Sequence, residues 1–87
     1  MELERLRAGI GATDRQLLDL LAKRKALVLE ISKCKKENNM RLRQPERERQ
    51  LLAEWKAAAK ELGLREEFVE RIFWEIIKES LKIEADN

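Results

Sequence analysis

Histidine is absent from the 87-residue sequence, and cysteine occurs once, as Cys34. Without histidine the chain has no Ser–His or Cys–His nucleophile pair. A single cysteine permits no internal disulfide, and with no histidine beside it there is no plausible zinc site. A catalytic role would therefore depend on charged, amide or hydroxyl side chains.

Long apolar runs and a strong charge imbalance are also missing. The longest uninterrupted apolar run is Ala26 to Leu29, far below the roughly 20 residues of a membrane-spanning helix. No basic and apolar leader opens the sequence, so we expect a cytoplasmic protein. The 19 basic and 17 acidic residues give a net charge of +2, which argues against a general nucleic-acid binder.

Strand-like alternation is absent, and a heptad pattern fills the first part of the chain. It predicts one continuous helix from about Glu2 to Glu37, about 54 Å long. Thr13 and Gln16 form a possible capping box that would start a helix later, but the heptad continues in phase through both. Its core positions are Leu3, Leu6, Ile10, Thr13, Leu17, Leu20, Arg24, Leu27, Ile31 and Cys34.

Two shorter helices are predicted to follow. One begins at Pro45 and stops at Gly63, because proline suits the first helical turn and glycine the position after a helix. The other spans about Arg65 to Ala85. The sequence therefore predicts an all-α fold with a single domain over residues 1–87. The residues expected to face inward are Leu51, Leu52, Trp55, Ala58, Ala59, Leu62, Phe68, Val69, Ile72, Phe73, Ile76 and Ile77.

The long helix carries more apolar surface than the two shorter helices can cover. Those helices are about 27 and 32 Å long, so part of a 54 Å stripe would stay in contact with water. An exposed apolar stripe of that size usually marks an interface. We therefore expect a homodimer formed through the long helices.

Several polar residues occupy positions where apolar ones are expected. Arg24 is at a heptad core position, Lys35 lies within about 20° of it around the helix, and Glu48 extends an apolar face. Ser80 and Glu84 lie in the apolar arc of the third helix. Buried charges are costly unless they are paired or bind something. Two simpler interpretations stay open: Arg24 could extend to solvent, and the third helix could fray at its end.

With Arg47 included, cationic groups outnumber acidic ones on these inward faces, which would suit a compact substrate with several carboxylates. Arg7 is also near the stripe but lies about 26 Å from Arg24 along the axis. If two long helices crossed antiparallel near residue 19, residue i would face residue 38 − i. Arg7 of one chain would then reach the level of Ile31 in the other, so a site completed by a second subunit is geometrically possible.

Three segments carry a family resemblance: "LRAGIGATDRQLLDLLAKRKALVLEISKCK", "RLRQPERERQLL" and "FVERIFWEIIKESL". The chain resembles the all-helical chorismate mutases, such as the mutase domain of the enterobacterial chorismate mutase–prephenate dehydratase. The resemblance implies an intertwined antiparallel homodimer with two equivalent sites. It also implies conversion of chorismate to prephenate, in phenylalanine and tyrosine biosynthesis, without cofactor or metal.

The resemblance also implies roles for eight residues, with Lys35, Glu84 and Arg24 at the centre of catalysis. Arg24, Arg47 and the partner's Arg7 would bind carboxylates, and Lys35 would bind a carboxylate and the ether oxygen. Glu84 would face that oxygen beside Lys35. Glu48 would accept a hydrogen bond from the ring hydroxyl, Ser80 would contact the ring carboxylate, and Gln44 would contribute its backbone N–H.

A concerted [3,3] rearrangement agrees with the missing catalytic groups, since it needs neither a nucleophile nor a proton transfer. The enzyme must select a compact substrate conformer and stabilise negative charge that develops on the ether oxygen. Arginine and lysine can do both. Of the arginines around Pro45, Arg47 fits this role, Arg43 is left open, and Arg41 and Arg49 are expected to be solvated.

Two positions depart from the enterobacterial pattern. Gln44 replaces an aspartate, and Glu84 replaces a glutamine, so Glu84 can donate a hydrogen bond to an ether oxygen only when protonated. Two rival functions stay open. One is an isochorismate-pyruvate lyase of the same fold. The other is a non-catalytic helical dimerisation module, in which Arg24 and Glu84 would form a structural ion pair.

Overall fold

The computed structural model describes all 87 residues, which form three α-helices and no strand. Helix α1 spans Glu2–Glu37, α2 spans Pro45–Glu61 and α3 spans Glu66–Ala85. The predicted all-α fold is confirmed. No helix is both long and apolar enough to cross a membrane.

Helix α1 continues without a break past Gly9 and Gly11. The Thr13 hydroxyl donates to the carbonyl oxygen of Gly9 at 2.9 Å, as hydroxyl residues do inside helices. Thr13 is therefore not a helix cap, and the alternative start at this residue is wrong. Glu2 and Glu4 in the first turn and lysines in the last turn complement the helix dipole.

Helix α2 ends in a hydrogen-bonded glycine motif. Gly63 has φ +72°, a left-handed conformation that glycine adopts without strain. The Gly63 N–H donates to Lys60 and the Leu64 N–H donates to Ala59, at 3.3 and 2.8 Å. These two bonds define a Schellman motif, which turns the chain directly into α3.

Helix α3 holds the fold together, because it packs against both α1 and α2, which do not pack on each other. Phe73 is 1% exposed, and the Trp55 ring meets it edge-on with the centroids 5.2 Å apart. The Lys56 ammonium lies 2.8 Å from Glu70 across α2 and α3. This ion pair raises the pKa of Lys56 and lowers that of Glu70.

The core of one chain is small, and several predicted inward residues are not buried. Ala58, Leu62, Phe68 and Ile72 are exposed, with Leu62 at 73%. The physical reason is that α2 and α3 form a single layer, and the far side of that layer has no third element against it. The buried apolar residues are Val28, Ala59, Val69, Phe73 and Ile77.

The apolar stripe of α1 is also exposed. The molecule measures 57 × 25 × 15 Å, and its radius of gyration is 16.1 Å, against about 12 Å for a compact chain of this length. Seven heptad core residues are 46–63% exposed: Leu3, Leu6, Ile10, Leu17, Leu20, Leu27 and Ile31. The first half of α1 thus extends as an arm beyond the other helices.

Candidate active site

A cleft of about 400 Å³ opens where the second half of α1, the start of α2 and the end of α3 meet. Its volume is typical of a site for a small molecule. Apolar side chains such as Leu27, Ile31 and Leu81 form much of its wall. Seven of the eight residues implied by the resemblance line it: Arg24, Lys35, Gln44, Arg47, Glu48, Ser80 and Glu84.

Helical periodicity explains why these residues converge. Arg24, Ile31 and Lys35 of α1 are separated by seven and four residues, so their side chains share one face. Ile77, Ser80 and Glu84 share a face of α3 for the same reason. The two faces meet in the cleft, so polar groups far apart in sequence come within contact distance.

Arg24 reaches across from α1 to α3. Its Nη1 donates a hydrogen bond to the Ser80 hydroxyl, and that hydroxyl donates to the Ile76 carbonyl oxygen at 2.9 Å. Partial burial lowers the pKa of the Arg24 guanidinium, which nevertheless stays protonated at neutral pH. The remaining donors of its guanidinium are available for an anion in the cleft.

Lys35 and Glu84 form an ion pair inside the cleft. The Lys35 Nζ lies 2.9 Å from Glu84 Oε1, with the glutamate side chain 5% exposed. Nζ also donates to the Leu42 carbonyl oxygen at 2.6 Å. Oε1 itself is buried and has no hydrogen bond of good geometry. The charge of the Lys35 ammonium is therefore what compensates this oxygen.

Glu48 has a partner that the sequence did not identify. The Arg43 guanidinium binds its carboxylate with both arms of the fork, Nε to Oε2 at 3.1 Å and Nη2 to Oε1 at 2.9 Å. The Glu48 side chain is 10% exposed and that of Arg43 is 60% exposed. Arg43 precedes α2 in an irregular segment, so no helical spacing could have indicated the pair.

Arg7 is the one implied residue that does not line the cleft. It lies exposed on the α1 arm. Arg47 lines the cleft but is exposed and forms no ion pair. The Gln44 side-chain amide donates to the Arg41 carbonyl oxygen at 2.9 Å, which orders the segment that leads into α2.

The frayed end of the third helix and the structural ion pair between Arg24 and Glu84 were two other interpretations of these residues, and both are wrong. Helix α3 continues to Ala85 and Glu84 is 4% exposed, so the end of α3 is not frayed. Arg24 and Glu84 do not form the structural ion pair expected of a dimerisation module, because Arg24 binds Ser80 and Glu84 faces Lys35.

The cleft thus combines three cationic groups, a buried carboxylate that is paired with Lys35 and a second carboxylate that is held by Arg43. Such a site can hold an anion with several carboxylates, because guanidinium and ammonium groups approach from two helices. It can also place positive charge beside an oxygen that gains negative charge during a reaction.

Comparison with known proteins relates this chain to chorismate mutases. The chorismate mutase type II family model matches residues 6–85. The T-protein of Enterobacter agglomerans is 38% identical over 85 residues, which cover 98% of this chain and 23% of that protein. The bifunctional chorismate mutase/prephenate dehydratase of Buchnera aphidicola subsp. Schizaphis graminum is 39% identical over 80 residues, 92% of this chain and 21% of that protein. The chain therefore spans about a fifth of the length of these curated relatives.

Proposed function

Because the chain belongs to the chorismate mutase type II family, we propose that it converts chorismate to prephenate in the cleft between its three helices. The observation that carries this proposal is the convergence of seven implied residues, from the three helices and the residue before α2, on that cleft. The reaction belongs to phenylalanine and tyrosine biosynthesis. The proposed compartment is the cytoplasm, where an unpaired cysteine is the ordinary state.

In this proposal the cleft acts on the substrate by orientation and electrostatics. Arg24 and Arg47 hold the two carboxylates of chorismate, which favours the compact conformer whose reacting carbons are close. Lys35 leaves the Leu42 carbonyl oxygen and binds a carboxylate and the ether oxygen. Glu84, when protonated, donates a second hydrogen bond to that oxygen. Both bonds strengthen as the C–O bond breaks, so they lower the barrier.

We further propose that the working form is an intertwined antiparallel homodimer. One chain exposes 7305 Å², whereas a compact protein of this mass exposes about 5,400 Å². A compact dimer would expose about 4,400 Å² per chain, so dimerisation to that shape would bury about 5,700 Å² in total. An area of that size is typical of obligate dimers.

The dimer would also complete the site. In the antiparallel pairing about residue 19, Arg7 of the second chain lies at the level of Ile31. Ile31 forms part of the cleft wall between Arg24 and Lys35. A third guanidinium would therefore reach the substrate carboxylates from the open side of the cleft.

The function is tested by incubating the chain with chorismate and following the loss of its ultraviolet absorbance, with prephenate identified as product. A parallel incubation with isochorismate tests the lyase alternative. Prephenate formation supports the proposal. Release of pyruvate from isochorismate, with chorismate unchanged, would replace it with the lyase.

A further inference from the structure

The contact that the proposed roles do not use is the fork between Arg43 and Glu48. Both hydrogen bonds, at 3.1 and 2.9 Å, join the guanidinium to different oxygens of one carboxylate. Two parallel bonds fix the plane and direction of a carboxylate, which a single contact leaves free to rotate. No other side chain hydrogen-bonds to Glu48.

The two partners lie on different sides of the cleft wall. Glu48 lines the cleft, whereas Arg43 does not and is mostly exposed to solvent. The guanidinium thus approaches the carboxylate from outside. Each carboxylate oxygen can accept a second hydrogen bond, so the carboxylate keeps acceptor capacity for a group inside the cleft.

Charge gives a second reason for the contact between Arg43 and Glu48, which we call the clamp. A substrate with two carboxylates would repel a carboxylate in the cleft wall, and it would engage the cationic groups already there. Arg43 is the one cation bonded to Glu48, so it compensates the charge of Glu48 when the other cations bind substrate. Without it, a nearly buried carboxylate would be left unpaired, which is unfavourable.

The geometry points to Arg43 as a positioning residue. It holds the Glu48 carboxylate in the orientation in which that carboxylate accepts a hydrogen bond from the substrate's ring hydroxyl. This inference rests on the proposed mutase activity and deepens it. Arg43 acts through Glu48 and does not touch the substrate. Its removal should therefore matter only while Glu48 is present.

A double-mutant cycle on the full chain tests this point. We expect Arg43→Ala to lower kcat/KM about 10-fold or more, and to lower it less than about 2-fold in a Glu48→Ala background. Arg43→Lys should recover only part of the activity, because an ammonium keeps the charge but lacks the fork. Enzyme concentration is raised where needed to keep residual rates above the uncatalysed conversion.

Arg49→Ala is the matched control. Arg49 also pairs with a glutamate, Glu46, but both side chains are exposed. Exposed pairs contribute little, so this variant should stay within about 2-fold of the unmodified chain. If Arg43→Ala lowers the unfolding midpoint below the assay temperature, Arg43→Gln and Arg43→Lys complete the same cycle.

The outcomes separate the clamp from the proposed function. An unmodified chain that leaves chorismate unchanged refutes the mutase activity and, with it, the role of Arg43. An active chain in which Arg43→Ala has no effect refutes the clamp alone. Equal losses with and without Glu48 also refute it, because Arg43 would then act on the substrate directly.

Discussion

A charge placed in the apolar stripe of α1 should dissociate the proposed dimer. Leu20 is 62% exposed in the single chain and lies one residue from the expected crossing point. In Leu20→Glu, each chain would lose about 1–2 kcal/mol of apolar burial and incur about 1–2 kcal/mol for a poorly solvated carboxylate. Twofold symmetry doubles the total to about 4–8 kcal/mol, which raises the dimer dissociation constant by about three to six orders of magnitude.

Sedimentation equilibrium and far-ultraviolet circular dichroism at micromolar concentration would measure this change. Leu20→Glu should sediment as a monomer and lose helical signal, because one chain buries few apolar residues. Ala8→Glu is the matched control: Ala8 lies about 160° around α1 from both Leu6 and Ile10 and is exposed, so it should remain dimeric. The reasoning is refuted if both variants have the same dissociation constant, or if the unmodified chain is a folded monomer.

Three further predictions concern the cleft. Inactive Arg7→Ala and inactive Arg24→Ala chains should regain activity when mixed, because a mixed dimer contains one intact site; demonstrated subunit exchange without regained activity would contradict a shared site. Arg24→Leu should keep its unfolding midpoint, since the Ser80 hydroxyl still donates to the Ile76 carbonyl oxygen. Its kcat/KM should fall about 10²- to 10⁴-fold, because two charge-assisted hydrogen bonds to a substrate carboxylate are lost. A variant that unfolds, or one that stays fully active, would contradict this prediction. Glu84→Gln should be more active than the unmodified chain at high pH, because an amide donates a hydrogen bond at every pH and a carboxyl group donates one only when protonated; identical pH profiles would remove Glu84 from the ether oxygen.

Local patterns in the sequence were sufficient to predict the three helices. The heptad carried α1 through two glycines, and Pro45 and Gly63 marked the bounds of α2, because each feature acts within a few residues of itself. The same patterns failed for Leu62 and Ile72. Their burial depends on what lies beyond the α2–α3 layer, and no periodicity within one helix contains that information.

Part of the candidate site could also be predicted from the sequence. Arg24, Ser80 and Glu84 were conspicuous because they interrupt apolar faces, and the structure brings them to one cleft. Arg43 was not conspicuous, because it lies outside any helix and its neighbours are also charged. The Leu42 carbonyl that binds Lys35 could not be found at all, since a backbone acceptor has no signature in the sequence.

Thr13 and Arg24 show when a polar residue at a core position is evidence of function. Both interrupt the same heptad. The Thr13 hydroxyl is satisfied within its own helix by the Gly9 carbonyl, so its presence requires nothing from the rest of the molecule. Arg24 has five donors, of which one binds Ser80 across the cleft. A local interruption therefore indicates a ligand site only where the side chain's hydrogen-bonding capacity exceeds what the chain itself supplies, and in α1 that condition separates Arg24 from Thr13.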